Sequence, residues 1–140
     1  PIIEQKKVVD PCCGIGTVLV EALSMGVDIK GSDLNPLVMK GASGNIAHFG
    51  YSTDVTIMNI KDIQEEYDVA IIDMPYNLCS VLDKQDQLEM LISARSFARK
   101  IVVITVESID ELITMSGFKI TDRCNVKKGK TFTRQIIACE

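Results

Sequence analysis

The chain has 140 residues, a formal net charge of −4, 46% hydrophobic residues and 24% charged residues. This length suits one domain with a real core, and the composition argues against a disordered tail or a fibrous repeat. No apolar run approaches the about 18 to 20 residues that a membrane-spanning helix needs. The acidic balance argues against a module whose affinity comes mainly from neutralising phosphates.

The start of the chain and its cysteines indicate the setting of the protein. The chain begins at Pro1 and reaches a strand-like stretch almost at once, which suggests a piece of a longer protein with a domain upstream. Its five cysteines form no CxxC pair, and only one histidine could help them to hold zinc. Because their number is odd and Cys12 and Cys13 are adjacent, disulfides are not expected. We therefore predict a reduced, cytoplasmic protein.

Short β-branched runs alternate with helix-period segments along the chain. Lys7–Asp10 is predicted to be the first strand, and a glycine turn then leads into a helix that ends near Gly26. Further strands are predicted at 27–33, 54–58, 68–73 and 101–106, and further helices at 35–49, around 88–95 and at 108–115. Such alternation predicts a parallel sheet with helices on both faces.

The C-terminal tail has a different pattern. Two strand-like runs, 118–126 and 131–139, flank a lysine-rich turn, which indicates a hairpin. Five βα units followed by a hairpin are an unusual order for a dinucleotide-binding dehydrogenase.

The turn after the first strand, from Asp10 to Thr17, is a candidate nucleoside site. Gly14 and Gly16 allow the backbone to approach a ligand closely, and the start of the following helix favours an anionic group. Asp33 ends the second predicted strand, where an acid can accept hydrogen bonds from ribose hydroxyls. The third glycine of a nicotinamide-cofactor fingerprint is absent, because Leu19 stands in its position.

The end of the fourth predicted strand carries the sequence Asp73-Met74-Pro75-Tyr76. In a parallel sheet this segment lies at the same edge as the glycine turn. A carboxylate and a backbone carbonyl can both accept hydrogen bonds from an exocyclic amino group, while an aromatic ring stacks on the attached base. Holding both N–H groups directs the nitrogen lone pair toward an electrophile. The segment is therefore a candidate catalytic site for chemistry on an amine.

These two segments resemble motifs I and IV of the class I S-adenosylmethionine-dependent amino-methyltransferases. The similarity is greatest to the tRNA guanine-N2 methylases that carry a THUMP domain before the catalytic domain, and it follows the order of elements over the whole chain. It implies a Rossmann-like α/β fold with a seven-stranded, mostly parallel sheet and a C-terminal antiparallel hairpin.

The resemblance also implies roles for individual residues. Asp73 and the carbonyl of Met74 would hold the target amine, Pro75 would fix the chain, and Tyr76 would stack on the base. The implied cofactor-binding residues are Asp10, Cys12, Gly14, Gly16, Thr17, Asp33, Leu34, Asn59, Ile60 and Asp73. S-adenosylmethionine is the implied methyl donor, and no metal is expected.

Two positions depart from the family's pattern. Members usually have proline where Met74 stands and an acid where Asn59 stands. Because the role of Met74 belongs to its main-chain carbonyl, the first change affects rigidity more than chemistry. Asn59 can still accept a hydrogen bond through its amide oxygen.

The function expected from this reading is methyl transfer to an exocyclic amino nitrogen of an RNA base, with guanine N2 in tRNA as the leading substrate. Adenine N6 or a glutamine amide nitrogen is an alternative target, because each also presents an –NH₂ group. A non-catalytic S-adenosylmethionine-binding scaffold is the alternative from another class.

Lys127, Lys128, Lys130 and Arg134 form the one basic cluster of the sequence. Charged hairpin tips are commonly just solvated. If the sixth strand runs parallel to the first five, however, the hairpin lies beside the site and its lysines could touch RNA phosphates. The upstream domain is expected to supply most of the affinity for RNA.

Overall fold

The structure is a computed structural model that describes residues 6–74, 83–128 and 132–140. Its strands are β1 (Val8–Asp10), β2 (Ile29–Asp33), β3 (Val55–Ile57), β4 (Tyr67–Asp73), β5 (Ala98–Thr105), β6 (Ile120–Lys128) and β7 (Phe132–Cys139). Its helices are α1 (Thr17–Ser24), α2 (Pro36–His48), α3 (Lys84–Phe97) and α4 (Asp110–Met115). A single turn of 3₁₀ helix, Ile60–Asp62, lies between β3 and β4.

Local sequence explains how several of these elements begin and end. The Asn35 side chain accepts a hydrogen bond from the backbone N–H of Leu37 over 3.0 Å, and Pro36 occupies the first helical position of α2. The Asp83 side chain caps α3 in the same way, accepting from the N–H of Gln85 over 3.1 Å. Within the described ranges, none of the helices combines the length and the apolar character required to cross a bilayer.

The described strands form one sheet in the order β3-β2-β1-β4-β5-β7-β6. Strands β1 to β5 are parallel, and β7 pairs antiparallel with both β5 and β6. Strand β6 therefore runs in the same direction as β5. The carboxyl ends of β1 to β6 meet at one edge of the sheet, which we call the carboxyl edge.

The hydrophobic core has two parts, one on each face of the sheet. The larger part joins α3 and α4 to the sheet through fully buried side chains such as Ile72, Leu91 and Ile113. The smaller part joins α1 and α2 to the other face through Leu19 and Ile46. Alternate residues of a strand point to opposite faces. This two-sided burial explains the apolar runs within β4, at 69–72, and within β5, at 101–104.

The fold class predicted from the sequence is confirmed: the sheet is mostly parallel and ends in an antiparallel hairpin. Strand β5 begins three residues earlier than predicted, at Ala98 and not at Ile101. Helix α3 ends at Phe97, and Ala98 already has extended dihedral angles as its C-cap, so no loop separates the two elements. The four described cysteines are free thiols.

Candidate active site

The turn after β1 is held in place by hydrogen bonds to the end of β2. The backbone N–H of Cys13 donates to the carbonyl of Ser32 over 2.9 Å. One residue later, the N–H of Gly14 donates to Oδ2 of Asp33 over 2.9 Å. Because both bonds cross between neighbouring strands, the path of the turn is fixed by the sheet itself.

Helix α2 supports the same turn from the other side. The side-chain amide of Asn45 donates to the carbonyl of Ile15 over 2.9 Å. Gly16 has a φ of 87°, in the left-handed region that favours glycine. A Cβ added to Gly16 would lie 3.4 Å from Ala42. Gly16 thus serves the turn and its packing on α2, and it does not line the cavity described next.

A cavity of about 410 Å³ opens at the carboxyl edge. Its wall includes many of the predicted site residues: Asp10, Cys12, Gly14, Thr17, Asp33, Asp73 and Met74. The glycine turn and the end of β4 are therefore parts of one site.

A second cavity, of about 340 Å³, adjoins the first and shares Cys12 and Asp33 with it. Three further predicted residues line it: Leu34, Asn59 and Ile60. The Asn59 side chain accepts a hydrogen bond from the backbone N–H of Lys61 over 3.0 Å, which caps the 3₁₀ turn. An acid at this position could cap the turn in the same way.

Carboxylates dominate the charge of the first cavity. Asp10 is 1% exposed. Burial raises the pKa of Asp10 to about 7, the hydrogen bond from the N–H of Cys12 opposes that rise, and the nearby charges of Asp73 and Asp33 add to it. A cationic ligand in this cavity would favour the ionised form of Asp10.

Cys12 lines both cavities, but its thiol has low reactivity. Burial, followed by the charges of Asp10 and Asp33, raises the pKa of the Cys12 thiol to about 12. The thiol is therefore protonated at neutral pH and is a poor nucleophile. This state suits a small packing residue at the cavity wall.

The end of β4 is fixed by its pairing with β5. Asp73 is in register with Ile104, and the backbone N–H of Met74 donates to the carbonyl of Ile104 over 2.8 Å. The Met74 side chain is buried in the core below α3. Buried packing and strand pairing thus hold the backbone of Met74, where proline is usual in the resembling family. Pro75 and Tyr76 lie outside the described residues.

Outside the first turn and α1, three residues of the cavity wall were not among the predicted site residues: Thr105, Val106 and Arg134, the last of which was assigned only to the basic cluster. Thr105 and Val106 could have been predicted from their position in the chain, because the end of β5 lies at the same edge of the sheet as the end of β4. Arg134 belongs to β7, and only the antiparallel register of β7 on β5 brings it to the cavity.

The end of β6 and the start of β7, which flank the basic turn, lie at the carboxyl edge, because β6 runs parallel to β5. Lys127 is exposed near the end of β6. The side chain of Lys128 and the whole of Lys130 are outside what the structure describes. Among the described residues, no group of three or more His, Cys, Asp or Glu side chains is arranged to hold a metal ion.

Comparison with known proteins gives one family match. Residues 3–133 match the model of a family described as UPF0020, RMKL-like, methyltransferase domain. This range includes the glycine turn, the end of β4 and every lining residue of the two cavities except Arg134.

One relative of named activity matches almost all of this chain but less than half of its own length. The tRNA (guanine(10)-N2)-dimethyltransferase of Methanothermobacter thermautotrophicus is 28% identical over 145 residues, which cover 96% of this chain and 43% of that protein. The chain thus spans less than half the length of this relative.

Solved structures share the architecture at low identity. PH1948 from Pyrococcus horikoshii has a TM-score of 0.78 at 18% identity, covering 98% of this chain and 75% of that one. Magnesium protoporphyrin IX methyltransferase (ChlM) from Synechocystis PCC 6803, solved with bound SAM, has a TM-score of 0.76 at 16% identity, covering 96% and 69%. Such distant likeness shows a common fold.

Proposed function

Since the chain belongs to the family described as UPF0020, RMKL-like, methyltransferase domain, we propose that it transfers a methyl group from S-adenosylmethionine to an exocyclic amino nitrogen of an RNA base. Guanine N2 in tRNA is the proposed target, by analogy with the named activity of the Methanothermobacter relative. The observation that carries the proposal is the single cavity lined by both Asp33 and Asp73.

The residues of the two cavities fit S-adenosylmethionine. Asp33 would accept hydrogen bonds from the ribose hydroxyls, and Leu34, Asn59 and Ile60 would border the adenine in the second cavity. The N–H groups at the start of α1 suit the carboxylate of the ligand. Asp10 and Asp73 give the first cavity the negative charge that suits a sulfonium and an ammonium group.

The chain's part in the reaction is positioning and the exclusion of water. Bound S-adenosylmethionine would supply an electrophilic methyl group to the target nitrogen, with S-adenosylhomocysteine as the leaving group when the C–S bond breaks. The carboxylate of Asp73 and the carbonyl of Met74 would accept the two N–H groups of the target amine, so that its lone pair points at the methyl carbon. Tyr76 would stack on the base. No general base is strictly required, because the amine can lose its proton after the attack.

We further propose that the longer protein supplies most of the affinity for RNA. The net charge of −4 makes this chain a weak binder of phosphates by itself. Lys127, Lys128 and Lys130 would add local contacts to the RNA. A base within structured RNA would have to be flipped out or already unpaired to reach Asp73.

The proposal is tested with the full-length protein, methyl-labelled S-adenosylmethionine and unmodified tRNA transcripts. After digestion to nucleosides, mass spectrometry is expected to show N2-methylguanosine or its dimethyl form. Label in N6-methyladenosine would identify an adenine methyltransferase. The proposal would be contradicted if the protein binds S-adenosylmethionine but methylates no RNA, whether it methylates a glutamine side chain or nothing at all.

A further inference from the structure

Arg134 is a half-buried cation in a cavity whose other charged groups are carboxylates. It lines the first cavity together with Asp10, Asp33 and Asp73. In the described part of the chain, the cations that form ion pairs are Lys7, Lys30, Lys61, Lys100 and Arg123, so Arg134 has no carboxylate partner there.

Arg123, on the neighbouring strand, shows the contrast. Its guanidinium donates to Oδ2 of Asp110 and to Oε1 of Gln135, both over 2.5 Å. Arg123 is therefore an arginine of this hairpin that has a structural role, and its hydrogen-bond partners can be identified. Arg134 lacks such partners among the described residues and faces the cavity instead.

The register of β7 sets the position of Arg134 along the sheet. Gln135 pairs with Thr105, the last residue of β5, so Arg134 lies one residue beyond the end of that strand. Strand β7 is two strands away from β4 in the sheet. Asp73 is level with Ile136, two residues from Arg134 along β7. With about 4.8 Å between strands and about 3.4 Å per residue, the backbones of Arg134 and Asp73 are separated by roughly 12 Å.

The two side chains also share a face of the sheet. Ile72 and Met74 belong to the core beside α3 and α4, so Asp73 between them points to the opposite face. Ile137 belongs to that same core, and Arg134, three residues earlier, therefore points away from it as Asp73 does. The proposed cofactor residues lie on the other side of β4, at the ends of β1 and β2.

We propose that Arg134 binds a phosphate of the target nucleotide and thereby positions its base on Asp73. This inference rests on the proposed function, since it assumes a nucleotide in the cavity. In a nucleotide the sugar separates the phosphate from the base amine, which matches two recognition groups spaced across β5. A guanidinium presents a planar fork of N–H donors that can hold two phosphate oxygens at once.

The test uses the full-length protein with Arg134→Gln, Arg134→Lys and a control variant, Arg99→Gln. Arg99 is exposed near the start of β5, at the opposite edge of the sheet. Affinity for unmodified tRNA transcripts is measured over a range of salt concentrations, and affinity for S-adenosylhomocysteine by calorimetry. The Michaelis constants for tRNA and for S-adenosylmethionine are measured separately.

Arg134→Gln is expected to weaken tRNA binding by about 10-fold and to reduce the slope of log Kd against log salt by about 0.7 to 0.9, the contribution of one phosphate. Affinity for S-adenosylhomocysteine should stay the same. Arg134→Lys keeps the charge and should restore the slope, while lacking the fork and binding tRNA several-fold less tightly than the wild type. Arg99→Gln should match the wild type in every measurement.

Weaker binding of S-adenosylhomocysteine with unchanged tRNA affinity would assign Arg134 to the carboxylate of the cofactor and overturn the inference. Unchanged tRNA affinity and slope in Arg134→Gln would overturn it as well. If Arg134→Gln does not fold, wild-type tRNA affinity in Arg134→Lys contradicts the inference. Failure of the proposed function is seen separately, because the wild type itself would then leave tRNA unmethylated.

Discussion

The carboxylate of Asp33 accepts a hydrogen bond from the backbone N–H of Gly14 over 2.9 Å, which ties the end of β2 to the glycine turn after β1. Its other oxygen accepts from the N–H of Asn35 over 2.9 Å. One side chain therefore links the turn, the end of β2 and the start of α2. The residue proposed to bind ribose is also the residue that holds the turn next to it.

Changing Asp33 should separate these two roles. Asp33→Asn retains one acceptor oxygen for Gly14 but loses the charge, and we expect S-adenosylmethionine to bind about 10-fold more weakly. Asp33→Ala also loses the bond to Gly14 and should bind more weakly still. Calorimetry with S-adenosylmethionine measures both. Wild-type affinity in Asp33→Ala would show that Asp33 has no part in binding.

The raised pKa of Asp10 should make stability depend on pH. The folded value is about 7, against the ordinary 3.8, so the folded state retains this proton at pH values where the unfolded chain has released it. The free energy of unfolding therefore falls as pH rises from about 4 to 7, by a few kcal/mol and at most about 4. Above pH 7 it is level.

Asp10→Asn isolates this effect, because an amide oxygen can still accept from the N–H of Cys12. The variant should gain stability relative to the wild type as pH rises from 5 to 8. Denaturant unfolding of both proteins at pH 5, 6 and 8 gives the difference, in which other titrating groups cancel. A difference that does not change with pH would contradict the account.

Gly31 of β2 is packed so closely by its neighbours that an added methyl group should destabilise the fold. A Cβ there would lie 2.6 Å from Cδ1 of Leu19, whose side chain is fully buried, and 3.2 Å from Sγ of Cys13. Gly31→Ala should lower the free energy of unfolding by about 1 to 3 kcal/mol.

Gly44 provides the matched control. It is exposed within α2, and a Cβ there would have no atom within 4 Å. Gly44→Ala should therefore raise the free energy of unfolding by about 0.5 to 1 kcal/mol. Thermal or denaturant unfolding measures both variants, and equal effects of the two substitutions would refute this explanation of the packing at Gly31.

Neutralising the hairpin lysines should weaken RNA binding without affecting the cofactor. The triple variant Lys127→Gln, Lys128→Gln, Lys130→Gln is expected to show a smaller salt dependence of tRNA binding, by up to about 0.7 to 0.9 in slope for each phosphate that is no longer neutralised. Fluorescence anisotropy with tRNA transcripts at several salt concentrations measures it. An unchanged slope and affinity would mean that the hairpin tip is merely solvated.

Much of the fold could be predicted from the sequence because local signals agree with the tertiary structure. Asn35 and Pro36 mark the start of α2, and the apolar run within β4 matches burial on both faces. The bounds of β5 could not be predicted, since α3 continues into it without a glycine or proline between them. Nor does any local pattern reveal that β7 inserts between β5 and β6.

The candidate site also contains residues that could be predicted from the sequence and residues that could not. Gly14 follows β1, while Asp33 and Asp73 are the last residues of β2 and β4. All three belong to recognisable motifs, and the parallel sheet brings them to one cavity. Arg134 has no motif around it, and its arrival at the cavity depends on pairing between β5 and β7, which are distant in sequence. The role of Gly16 in packing against Ala42 likewise needed the position of α2.

The central claim is that Asp73 holds the target amine, and Asp73→Asn in the full-length protein tests it most directly. An asparagine keeps the shape of the side chain but replaces one acceptor oxygen with an NH₂ group, so methylation of tRNA transcripts should slow by about 100-fold or more. Affinity for S-adenosylmethionine should change by less than about 10-fold over the same comparison. A methylation rate equal to that of the wild type, in Asp73→Asn or in Asp73→Ala, would contradict the mechanism.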